Sequence, residues 1–158
     1  MTQGTVVLAG GLPIEHLSLD ILVAEFGWSL KEVEGLGSLA ELNHDHNLVT
    51  VLFSPKKLDL PWDEALRSIL DAAPRALPII CHGFAEMIDW PQVAHAGVFH
   101  SLLLPFSWYE VRQSLGFAWG AKCRPASDPI RCRRPPRIAI SGHNRLARAH
   151  GAGMLAKQ

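Results

Sequence analysis

At 158 residues, with 48% apolar and 19% charged side chains, the chain can bury a core and is too apolar for a disordered polymer. Its zero net charge hides two parts of opposite sign: residues 1–120 hold 14 acidic and 6 basic side chains (−8), and residues 121–158 hold 9 basic ones and a single acid, Asp128 (+8). No run approaches the ~20 apolar residues of a membrane span, "MTQGTVVLAGGLP" lacks the basic start of a signal peptide, and Cys81, Cys123 and Cys132 show no metal-type spacing. A cytoplasmic protein with reduced thiols is the expectation.

In chain order, Thr5–Ala9 "TVVLA" is a short β-branched run closed by Gly10-Gly11, a buried strand. Leu17, Ile21, Leu22 and Phe26 recur at helical spacing, and Gly27 ends that helix. Residues 30–34 "LKEVE" alternate as a strand near a sheet edge does. Ser38 with Glu41 predicts a capping box at the head of a short helix. Residues 47–53 "NLVTVLF" form a central strand, and Pro61 opens a helix with Trp62, Leu66, Ile69 and Leu70 on one face. "LPIIC" (77–81) is a fourth strand; a weak helix interrupted by Pro91 follows over roughly 85–95. "GVFHSLLL" (97–104) is the fifth strand. Ser107 with Glu110 predicts a second capping box, and Val111, Leu115 and Ala118 mark the last helix. Strands alternating with helices predict a parallel sheet covered on both faces.

Two stretches carry a family resemblance: "LPIICHG" (77–83) and "AGVFHSLLLPF" (96–106). Receiver domains of two-component response regulators carry Pro-aliphatic-Ile in the fourth strand, and Ala-Gly-Ala-x-x-[aromatic]-[aliphatic]-x-Lys-Pro-Phe at the fifth. Residues 5–118 resemble such a domain. The resemblance implies a flavodoxin-like (βα)5 three-layer α/β sandwich with strand order 2-1-3-4-5. With the composition break near Gly120, this gives a receiver-like domain over 1–120 and a basic, Pro- and Arg-containing tail or linker over 121–158.

An active receiver needs acids after its first strand to hold Mg²⁺ and an aspartate ending the third as nucleophile. A hydroxyl after the fourth strand and a lysine after the fifth bind the phosphoryl oxygens. Here the acid positions fall on Ala9 and Gly10, and the nucleophile on Leu52, Phe53 or Ser54. The hydroxyl falls on His82 or Gly83, the switch aromatic on Ser101, and the lysine on Leu104. No metal, cofactor or catalytic residue is therefore expected. A lysine without its acidic partners would be costly to bury, so the apolar replacements make sense as a set.

Other motifs point elsewhere. "GLGSLA" (35–40) fits the Gly-x-Gly-x-x-Gly/Ala dinucleotide pattern, but it follows the second strand, and the ribose-binding acid would fall near Pro55. His44-Asp45-His46 has i,i+2 ligand spacing in a polar turn without a third ligand. Cys81 and His82 adjoin at a strand end, yet strand neighbours point to opposite faces. Trp90, His95, Trp108, Tyr109 and Arg112 fall where receivers dock partners, an interaction face for a signalling protein or a second copy, though Trp108 alternatively packs under the last helix. The Arg-rich tail offers a competing role, a transcription regulator whose tail contacts nucleic acid while the body dimerises. The favoured expectation is a signalling module of the two-component or phosphorelay type that takes no phosphate and acts by protein contact.

Overall fold

The computed structural model describes residues 4–11, 13–42, 44–45, 47–86 and 88–124, with the side chains of 13–18 set aside. Strand β1 (Thr5–Ala9) leads to α1 (Pro13–Glu25) and β2 (Ser29–Val33). A 3-10 turn (Leu36–Ser38) and α2 (Leu39–Leu42) precede β3 (Leu48–Phe53), which is followed by α3 (Pro55–Leu58) and α4 (Trp62–Ala72). Then come β4 (Leu77–His82), α5 (Trp90–Ala96), β5 (His100–Leu103) and α6 (Trp108–Cys123). The five strands pair in parallel in the order β2-β1-β3-β4-β5. This is the flavodoxin-like α/β sandwich that the alternation and the resemblance predict.

Alternation along β1 divides the core. Val6 and Leu8 face a cluster with Leu22 and Val23 of α1 and Val111, Leu115 and Ala118 of α6. Val7 and Ala9 face the opposite cluster, with Ala65, Leu66 and Ile69 of α4 and Val93 of α5. In β3 the alternation breaks. Val49 and Leu52 share the first cluster while Leu48, Val51 and Phe53 share the second. The cause is a register shift between Thr5 and Val6, which face Leu48 and Thr50 and leave Val49 as the extra residue of a bulge.

Several local expectations are corrected. Neither Ser38 nor Ser107 makes a side-chain cap: Ser38 lies inside the 3-10 turn, and Ser107 holds the N-cap position without bonding the helix. The working cap is Asp89, whose carboxylate accepts from the Gln92 backbone N–H at 3.2 Å. Pro91 thus sits in the first turn of α5 rather than interrupting a longer helix, a place where its missing N–H has no bond to lose. Gly97 takes φ +107 as the C-cap of α5, so β5 begins only at His100. Helix α3 was not expected, and α6 runs past the composition break at Gly120 to Cys123. The tail from 125 onward lies outside the described residues.

Candidate functional site

In a sheet with this order, ligands meet the carboxyl ends of the strands, where the direction of winding reverses between β1 and β3. Ala9 and Phe53 end those strands as register partners, 1% and 0% exposed, and Phe53 pairs in turn with Ile80 of β4. Leu52 points into the opposite cluster, and Ser54 is buried just beyond the strand. The floor of the site is therefore apolar and closed to water.

Gly10 and Gly11 take φ +91 and +63, a region that disfavours side chains. A Cβ on Gly10 would stand 3.1 Å from Leu58 Cδ2, because α3 lies over the end of β1. A Cβ on Gly11 would stand 2.8 Å from a carboxylate oxygen of Glu32. In sequence, acids are expected only directly after β1 and at the end of β3. Glu32 reaches the strand ends from β2, a neighbour that only the sheet order supplies. Among the described residues no three His, Cys, Asp or Glu side chains come together as a metal site.

The fourth and fifth strands end differently. His82 pairs in register with Leu103, and the Leu104 N–H donates to the His82 carbonyl at 2.8 Å. Leu104, which precedes a cis Pro105, packs with Phe106 against the first core cluster. Ser101 and Leu103 turn to the other side and line an open cleft of about 310 Å³ with His82, His100, Glu110 and Gln113. The His82 ring meets Trp90 edge-on at 4.9 Å, and Gly83 donates its N–H to Glu86 at 2.8 Å. Burial pushes the His100 imidazole below its ordinary pKa, against an opposing pull from Glu110.

The candidate contact residues separate into two groups. Trp90, Trp108 and Tyr109 are all exposed, Tyr109 at 70%, and His95 is exposed on α5. Trp108 therefore projects outward instead of packing under α6. Arg112 turns the other way and pairs with Glu25 of α1 at 2.5 Å. Cys81 is fully buried in the first core cluster, while His82 lines the cleft on the other side of the strand. Asp45 accepts from the Thr5 hydroxyl at 2.9 Å and from Lys31 at 3.3 Å; His46 lies outside the described residues.

Neither a family model nor a curated protein sequence matches the chain. Solved structures do. A response regulator receiver domain protein from Clostridium thermocellum superposes with a TM-score of 0.63 at 16% identity, over 75% of this chain and 96% of that one. A Burkholderia pseudomallei protein provisionally assigned to pilus assembly gives 0.60 at 16% identity, over 78% and 93%. A chain from the Saccharomyces cerevisiae complex of the phosphotransfer protein Ypd1 with the Ssk1 receiver domain gives 0.61 at 13%, over 80% and 96%. The chain has the receiver fold. At these identities the likeness is one of fold alone, and no helix of the described residues is long and apolar enough to cross a membrane.

Proposed function

We propose that the chain is a receiver-like signalling module, of the two-component or phosphorelay type, that accepts no phosphoryl group and acts by protein contact rather than as an enzyme. One observation carries the reading: Ala9 and Phe53 stand side by side and buried where acid and acceptor belong, with Leu58 over Gly10. A phosphoryl acceptor needs a nucleophilic oxygen and a hard cation held by oxygen ligands. The floor supplies no carboxylate as acceptor or cation ligand, its one hydroxyl, Ser54, is buried, and Leu104 brings no charge to spread over the phosphoryl oxygens. The exposed Trp90, Trp108 and Tyr109 favour contact, since aromatic side chains are frequent anchors of protein interfaces.

The test is incubation of the full chain with acetyl phosphate and Mg²⁺, followed by intact mass, beside an active receiver as positive control. The reading predicts no phosphoryl adduct. An adduct that hydroxylamine removes would mark an acyl phosphate and overturn it.

A further inference from the structure

A chain of contacts ties down the connection between β4 and α5. The Gly83 N–H donates to the Glu86 carboxylate at 2.8 Å, and the Glu86 N–H donates back to the Gly83 carbonyl at 3.2 Å, so residues 83–86 form a turn closed twice. The His82 ring sets Nδ1 3.2 Å from that same carbonyl. It also meets Trp90 edge-on at 4.9 Å, which joins the end of β4 to the first turn of α5. Beyond the turn, Ile88 packs on the second core cluster, and the Asp89 carboxylate caps α5. The His82 carbonyl is held from the other side by the Leu104 N–H.

We infer that this connection is a clamp that holds the end of β4 and the head of α5 in one state, with Glu86 as its positioning residue and the His82–Trp90 ring pair as its second tie. A switch needs two arrangements close in free energy and a ligand that prefers one of them. Leaving this arrangement gives up a charge-assisted bond, a backbone bond and a ring contact together. Ser101, which lines the cleft beside His82, has no ring to replace the one lost. The inference rests on the proposed reading of a module that takes no phosphate, and adds how that module is regulated. Phe84, 86% exposed at the tip of the turn, and Trp90 are presented in a constant arrangement. Output then follows the amount of this chain and of its partner, not a change of shape.

The test uses the full ¹⁵N-labelled chain. The clamp predicts flat relaxation-dispersion profiles, on the microsecond to millisecond scale, for the amides of His82, Gly83, Phe84, Ala85, Glu86 and Trp90. In E86A the Gly83 amide should exchange with solvent about tenfold faster, and dispersion should appear at Gly83, Phe84 and Ala85. E86Q, whose amide oxygen still accepts the bond, keeps the parent's flat profiles and slow exchange. Dispersion at these amides in the parent chain overturns the clamp without any variant. So does a Gly83 exchange rate that E86A leaves unchanged, or one that E86Q raises as far as E86A does. A phosphoryl adduct in the acetyl phosphate experiment would defeat the underlying reading, whereas dispersion without an adduct defeats the clamp alone.

Discussion

Gly10 shows how tightly single residues are constrained at the strand ends. Its φ of +91 and the Leu58 side chain beside its missing Cβ disfavour a side chain on two separate grounds. G10A is expected to destabilise the fold by about 1–3 kcal/mol in urea unfolding, and L58A in the same chain to recover the steric part only. Phe53 makes the complementary case. Installing the acceptor carboxylate with F53D would place a charge at a fully buried position without a cation, and the expected loss exceeds about 3 kcal/mol. A loss near zero would show that this strand end tolerates the chemistry we find missing.

Asp45 gives a pH signature. Partial burial pushes its pKa up, but the Asn47 N–H, the Thr5 hydroxyl and Lys31 outweigh that and hold the carboxyl below its ordinary 3.8. A folded-state pKa below the unfolded one gives stability that is present above pH 3.8 and lost as pH falls through the folded value. D45N should therefore be less stable than the parent at pH 7. The gap between the two denaturation midpoints should close as the pH is taken below 3.8.

At the scale of elements, the strands were legible because each is an apolar run bounded by glycine, proline or polar residues. The bulge in β3 was not: a strand buried on both faces, Thr50 included, has no exposed polar positions to mark which side each residue takes. Helix ends were also hard to read. Ser38 and Ser107 carry the residue types of a capping box without its bonds, whereas Asp89 caps α5 from a stretch that read as mid-helix. Helix α3 owes its place to packing, with Leu58 resting on the second core cluster. Helix α6 shows the energetic side. Leu115 is fully buried between α6 and the sheet, and L115A should lower stability by about 2–5 kcal/mol, measured as a fall in unfolding midpoint at constant m-value.

For the molecule as a whole, the fold could be read from the order of strands and helices, since right-handed crossovers leave few ways to wind such a chain. The site was partly legible. The absence of acids after β1 and at the end of β3 is a matter of residue type, visible without coordinates. What fills the space is not, because Leu58 and Glu32 arrive there from elements whose positions only the sheet order and the β3–α3 turn determine. The cleft beside β5 gathers residues from β4, β5 and α6 that are scattered along the chain, and no spacing rule links them.

The most direct measurement is an amide NMR titration of the full chain with Mg²⁺ and then beryllofluoride, a mimic of a bound phosphoryl group. The account predicts no saturable shift at Ala9, Phe53, His82 or Leu104. Concerted, saturating shifts of those amides would mean that carboxylates such as Glu32 or Asp59 assemble a working site at the strand ends, and would contradict it.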